Sequence, residues 1–244
     1  MNIRKILDIV YPNCFSCLIC GREIFEDDTY FCDKCYYGLE KIEGNICKRC
    51  SDPIVNGDYC EHCKGRDFFC SRILSPFVYD GYLKYAVHEI KFSGKRYLAE
   101  FMGAYMAKRF LTEDIKCDVV MPVPLCDERL KKRKYNQAGL IAENFCQITN
   151  LPLDSNSLIR AKNTPPQARL TFKERRENIM GAFKVIDKLN VKGKTILLVD
   201  DVYTTGSTIN ECAKALIKAG AKKVFAITAG HTVIKQERNE IVED

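Results

Sequence analysis

The sequence predicts an α/β fold built on a parallel sheet and preceded by a small cysteine-rich module. Three observations carry that prediction. Residues 194–220 read as strand, two acids, tight loop and helix. Ten of the 14 cysteines lie between Cys14 and Cys70. The charge divides at the same place: residues 1–70 carry 9 basic and 12 acidic side chains, net −3, and residues 71–244 carry 29 and 20, net +9. A chain of 244 residues has room for one sizeable α/β core and one appendage, so the expected units are 1–70 and 71–244.

The first stretch, MNIRKILDIVYPN, has an apolar patch interrupted by Asp8 and lacks a small-residue cleavage site. It reads as a short docking helix rather than a signal peptide. Four CxxC pairs follow: Cys17 with Cys20, Cys32 with Cys35, Cys47 with Cys50, and Cys60 with Cys63. Each pair can place two thiolates on one tetrahedral Zn²⁺, and two pairs close a structural site. So few apolar residues separate the turns that the segment could hardly fold unaided, and metal binding would supply its folding energy. The spacings, 11 residues between Cys20 and Cys32 and 9 between Cys50 and Cys60, fit two sequential zinc ribbons with two structural zinc ions. Cys14, three residues before Cys17, and His62, inside the last pair, leave a ligand exchange open, and cross-braced pairing is a further choice. No stretch approaches the ~20 apolar residues that span a bilayer, so a cytoplasmic protein is expected. In that reducing setting clustered CxxC pairs mean metal more often than disulfides. The acidic module is not expected to grip nucleic acid by itself, because phosphates need cations.

Beyond Cys70, ILSPFVYDG is strand-like and ends in a turn. Leu83, Ala86, Val87 and Ile90, then Leu98, Phe101, Met102, Tyr105 and Met106, recur at helical spacing. Residues 118–124, DVVMPVP, read as a buried strand ended by proline, and LCDERLKKRKYNQ as a loop in which five of residues 129–134 are basic. That loop leaves the carboxyl end of a strand, where ligands of α/β sheets bind, so its cations could meet an anion. Ala138, Ile141, Ala142, Phe145 and Ile148 give an amphipathic helix. The polar, proline-broken stretch RAKNTPPQARLTFKERRENIMGAFKV reads as a long functional loop.

The apolar run Ile196, Leu197, Leu198 and Val199 suits a parallel strand covered on both faces. Asp200 and Asp201 follow, then Thr204, Thr205, Gly206, Ser207 and Thr208, then a helix marked by Ile209, Cys212, Ala213, Leu216 and Ile217 and stopped at Gly220. Small residues opening a helix present free backbone N–H groups and the positive end of the helix dipole to a phosphate. Carboxylates at the strand end can accept hydrogen bonds from vicinal sugar hydroxyls or hold water-ligated Mg²⁺. Phosphate at one end and hydroxyls at the other describe a ribose 5-phosphate. The competing reading is an N-capped helix after an ordinary strand; such caps are common, but this ordered combination is not.

These residues resemble the phosphoribosyl diphosphate (PRPP) signature of type I phosphoribosyltransferases. The resemblance implies that Asp200 and Asp201 bind the ribose hydroxyls, with Mg²⁺, and that residues 204–208 grip the 5′-phosphate. Some members carry an acid where this chain has Thr204, so the resemblance implies binding and leaves catalysis open. The cysteine-rich start, IKFSG, MPVPL, Arg133 before Tyr135-Asn136-Gln137, Thr164 with Pro166-Gln167, Arg175 with Asn178 and Gly181-Ala182-Phe183 precede the signature in that order. The whole is similar to the ComF family of late-competence phosphoribosyltransferase-like proteins, which implies Arg133, Asn136, Gln137, Gln167 and Arg175 as loop residues about the diphosphate, joined by Arg129 of the basic stretch. The chain departs from the family pattern at Lys134, where a glycine is usual. The family also implies handling of incoming single-stranded DNA during natural transformation, alongside other DNA-uptake proteins. Tyr82, Tyr85, Phe92, Tyr97 and Tyr135, set among lysines and arginines, suit such a strand. Three functions therefore compete: a competence protein that binds PRPP with Mg²⁺ and contacts single-stranded DNA, a transferase moving ribose 5-phosphate from PRPP to a base or amine, and a PRPP sensor without chemistry.

Overall fold

The computed structural model describes residues 16–24, 30–66, 68–164 and 172–233. Helix α1 (Asp33–Tyr37) belongs to the cysteine-rich module; β1 (Arg72–Leu74), β2 (Phe77–Val78), α2 (Gly81–Phe92), α3 (Leu98–Leu111) and β3 (Val119–Pro122) follow. Then come α4 (Asp127–Arg133), α5 (Gln137–Thr149), β4 (Leu158–Arg160), α6 (Phe172–Ile179), β5 (Phe183–Val185), β6 (Thr195–Tyr203), α7 (Ser207–Lys218) and β7 (Lys223–His231). The main sheet is parallel throughout, in the order β1, β7, β6, β3, and β2 continues the line of β1 along the far end of β7. β4 and β5 form a separate antiparallel pair.

Alternation along the strands makes two cores. Leu197 and Val199 of β6 join Leu74, Val120, Ile227 and Ala229 under α2, α3 and α5. Ile196 and Leu198 join Ile73, Val119, Met121, Val224 and Ala226 under α7 and the β4–β5 pair. Ile196, Leu197, Leu198 and Val199 of β6 are all inaccessible to solvent, as a strand covered on both faces requires. On the first face α3 lies tightly on α5: a Cβ at Gly103 would stand 2.7 Å from Asn144 Cβ. Phe110 meets Phe145 edge to face, 5.5 Å between ring centres.

The cysteine-rich module contributes to both cores. Phe31 packs edge-on against Phe101 at 4.9 Å on the first face, while Cys47, Cys50, Cys60 and Cys63 lie in the second. Between the two halves the chain pairs with the outer edge of the sheet. Ile42 N donates to Pro76 O (2.9 Å), Val78 N to Glu40 O (2.8 Å), Ile73 N to Arg49 O (2.6 Å) and Ser51 Oγ to Ile73 O (2.8 Å). These bonds satisfy backbone groups that an edge strand otherwise leaves open.

Three elements differ from the sequence reading. The basic stretch expected as a loop is largely the helix α4, with Asp127 and Glu128 in its first turn and Lys131, Lys132 and Arg133 in its last, the arrangement that complements a helix dipole. The long segment before the signature contains the helix α6 and the strand β5. The sequence reading stops at Gly220 and does not anticipate β7, which is central in the sheet. The expected amino-terminal docking helix, Cys14 and Gln167 lie outside the described residues. Among the described residues no helix is long and apolar enough to cross a membrane.

Candidate functional site

The eight paired cysteines form two clusters in sequential order, Cys17, Cys20, Cys32 and Cys35, then Cys47, Cys50, Cys60 and Cys63, with the sulfurs of each within 4.8 Å of one another. Tetrahedral zinc with bonds of about 2.3 Å needs sulfurs ~3.8 Å apart. Cys20 and Cys32 stand at 3.7 Å and Cys50 and Cys60 at 3.6 Å, so both sets fit the metal. Burial opposes ionisation of Cys17, but the backbone N–H groups of Cys20, Cys32 and Ile19 outweigh it and bring the thiol down to about 7. Burial and its neighbouring cysteines push Cys35 up. In the second cluster, hydrogen bonds from Cys50 and Cys63 hold Cys47 low, and the reciprocal bonds push Cys50 up. A divalent cation bound among them permits several thiolates at once. His62 belongs to neither cluster.

The signature folds as strand, loop and helix at the carboxyl edge of the parallel sheet. β6 runs through both acids to Tyr203, and α7 opens at Ser207. Gly206 is the N-cap at φ +72°, a backbone that favours glycine; a Cβ there would also stand 2.7 Å from the Tyr203 ring. Thr205 Oγ1 lies 3.0 Å from Ser207 Oγ and accepts from Ser207 N at 3.4 Å, which closes the loop over the helix start. Thr204 and Thr208 flank it, each engaged by neighbouring groups.

Strand alternation turns the acids to opposite sides. Asp201, 5% exposed, is ion-paired with Lys91 Nζ of α2 at 2.8 Å. Asp200 is half-buried and accepts from Asp201 N at 2.9 Å. Burial first, and then the charge of Asp201, push the Asp200 carboxyl up to about 8, opposed by Lys91 and Arg160. Arg160 of β4 is itself buried, and its guanidinium bonds Thr164 Oγ1, as Arg129 bonds Thr164 O at 3.0 Å. Arg133 lies near enough to Asp201 for its charge to be felt, and donates to Gln137 Oε1 at 3.0 Å. Three cations from three elements therefore act on the acid pair, Lys91 by direct contact and Arg133 and Arg160 through their charge.

Of the loop residues expected about a diphosphate, Arg129 and Arg133 lie on α4 and donate to Thr164 O and Gln137 Oε1. Asn136 caps α5, accepting from Ala138 N at 3.2 Å and donating to Val123 O at 3.0 Å, and Gln137 is buried beneath Arg133. Both hold the loop's shape through these bonds. Arg175 lies in α6, and its side chain is outside the described residues, as is all of Gln167. Lys134 ends α4 at φ +66°, the left-handed conformation that explains why a glycine suits this position. A cleft of about 620 Å³ runs beside these residues, between Pro122, Leu130, Asn136 and Arg160.

Sequence reading missed Lys91, Arg160 and a buried stack at the strand ends. Tyr203 and His231, register partners on β6 and β7, lie 4.7 Å apart at 17°, and His231 Nε2 is 3.1 Å from Asp52 Oδ1 in the cysteine-rich module. Lys91 sits inside the IKFSG stretch, which was the available signal; nothing local marks the others.

The sequence matches the double zinc ribbon domain family over residues 6–64 and the phosphoribosyl transferase domain family over residues 106–239. Competence protein F of Haemophilus influenzae is 30% identical over 216 residues, covering 80% of this chain and 94% of that protein. Competence protein ComFC of Bacillus subtilis is 29% identical over 232 residues, covering 90% and 92%. DNA utilization protein YhgH of Escherichia coli K12 is 26% identical over 214 residues, covering 85% and 93%. With a double zinc ribbon domain followed by a phosphoribosyl transferase domain, and 30% identity to competence protein F over most of both chains, the chain belongs to the ComF family of competence proteins.

Proposed function

We propose that this protein binds PRPP, with Mg²⁺, through residues 204–208 and the acid pair Asp200 and Asp201, and that it contacts single-stranded DNA in the cytoplasm during competence. The observation that carries the reading is the unit β6–α7: two acids at the carboxyl end of a central parallel strand, a short loop away from a glycine-capped helix N-terminus. Asp200 and Asp201 would hold Mg²⁺, which would supply positive charge to offset that of the diphosphate. The chain's own residues hold the 5′-phosphate on the loop, offer Asp200 and Asp201 to the ribose hydroxyls, and direct Lys91, Arg133 and Arg160 toward the anionic end. Asp201 reaches the ligand by exchanging its bond to Lys91 for one to the sugar or metal.

The DNA half draws on the relatives' names and on a row of cations over aromatic rings: Arg96 over Tyr135 at 4.5 Å, Arg133 over Phe92 at 5.2 Å and Lys95 over Tyr85 at 5.6 Å. Tyr85, Phe92 and Tyr97 are exposed, as stacking on bases requires. Calorimetric titration with PRPP and Mg²⁺ tests the ligand. Binding is expected in the natural chain and its loss in Asp200→Ala/Asp201→Ala; unchanged affinity in a folded double variant places the site elsewhere.

A further inference from the structure

The phosphate loop has a second side. A cleft of about 570 Å³ lies between the second cysteine cluster and α7, with Thr205, Gly206 and Ser207 in its lining and neither Asp200 nor Asp201 among them. The opposite wall comes from the cysteine-rich module: His62, Arg66, Phe68 and Phe69. That wall is fixed to the helix, because Phe69 N donates to Asn210 Oδ1 at 2.8 Å. Lys214 stands 5.7 Å over the Phe69 ring, and Arg66 Nη1 lies 3.2 Å from His62 Nδ1, so cations and rings alternate along the cleft. The acid in this lining, Glu211, is already engaged by Lys214 at 3.6 Å and by Gly181 N at 3.0 Å. Beneath the loop, the Tyr203 hydroxyl is buried, has no hydrogen-bond partner among the described residues, and would stand 2.8 Å from a Cβ at Gly206. It is an orphan donor pressed against the loop that forms the cleft's floor.

We infer that this cleft binds a nucleoside monophosphate, its phosphate on the loop between Arg66 and Lys214 and its base on Phe69. Each part of the chemistry has a partner. Helix-start N–H groups and two cations suit a phosphate, and a half-exposed ring flanked by cations suits a base, whose faces stack without regard to sequence. The volume falls in the range of about 300–1,000 Å³ typical of small-molecule sites. The base would point toward the zinc module, away from Asp200 and Asp201. The inference rests on the PRPP reading only for the shared loop, and it makes the two ligands mutually exclusive: whichever phosphate occupies residues 204–208 displaces the other.

The test titrates the zinc-loaded full chain with adenosine 5′-monophosphate and with PRPP and Mg²⁺, by calorimetry, in the natural sequence, Phe69→Ala, Arg66→Gln and Asp200→Ala/Asp201→Ala. Adenosine monophosphate is expected to bind and to compete with PRPP. Phe69→Ala should weaken it about tenfold or more while changing PRPP less than about twofold, since one stacked base is worth that much. The double acid variant should do the reverse. Phe69 is 38% exposed, so its truncation is compatible with the fold; if it does not fold, Arg66→Gln carries the same test. Absence of nucleotide binding, equal binding in Phe69→Ala and Arg66→Gln as in the natural chain, or loss of binding in the acid variant would overturn the inference. If PRPP does not bind but the nucleotide does, with Phe69 dependence, the proposed function falls and this cleft stands.

Discussion

Lys91 Nζ lies 2.8 Å from Asp201 Oδ2, a mostly buried ion pair that ties the end of α2 to the end of β6. Removing one partner leaves a charge with little solvent. Lys91→Met is expected to cost about 2–4 kcal/mol, while Lys91→Met/Asp201→Asn should cost less than the sum of the single changes. Urea unfolding of the four proteins measures both; additive costs would mean that the pair does not couple.

Lys134 carries a left-handed backbone at φ +66° at the end of α4. A side chain there is strained by about 1 kcal/mol, partly offset by the greater freedom glycine has when unfolded. Lys134→Gly should therefore raise stability by about 0.5 kcal/mol, and the β-branched Lys134→Val should lower it by about 1 kcal/mol or more. Equal midpoints for all three in a denaturant series would contradict the assignment.

Metal analysis should return about two zinc ions per chain, one for each cluster. Because both clusters contribute to cores that also contain sheet residues, chelation should loosen more than the module. Hydrogen exchange at Ile73 and Val78, whose amides bond to Arg49 O and Glu40 O, should rise with it. A metal-free chain with those amides still protected would reject a structural role for zinc.

Lys131 and Lys132 lie on the exposed helix α4. Replacing both with glutamine should weaken single-stranded DNA of every sequence alike and flatten the salt dependence by roughly one unit of slope for each lysine that meets a phosphate. Fluorescence anisotropy from low to high salt reads both quantities. An unchanged slope would move the DNA path off this helix.

The parts of the site that lie on one continuous stretch were legible in the sequence. The strand, acids, loop and helix of residues 194–218 are local, and CxxC spacing announces its own chemistry. Lys91 was signalled only by the IKFSG stretch around it, and Arg160 and the Asp52–His231–Tyr203 stack were not legible, because they form only when the sheet brings distant residues together; Asp52 and His231 are 179 positions apart. Helix α4 was hidden by its charge, which reads as a solvated loop until the acids at its start and the bases at its end are set against a helix dipole. In β7 the small residues Ala226, Ala229 and Gly230 dilute the β-branched signal, although burial on both faces makes it a central strand.

The strand order has a kinetic consequence. β1 finds its neighbour in the main sheet in β7, far along the chain, and the central pair β6–β7 is the last part of the sheet to leave the ribosome. Until β6 and β7 have emerged, β3 and β1 have no ladder to join, whereas each cysteine cluster closes within one short span, Cys17 to Cys35 and Cys47 to Cys63. During synthesis at about 5–20 residues per second, the metal-bound ribbons are ready many seconds before the sheet exists. Glu40, Ile42 and Arg49 bond to β1 and β2, the next strands to emerge, and can hold them until β7 arrives, which suits a topology whose long-range parallel pairings fold slowly.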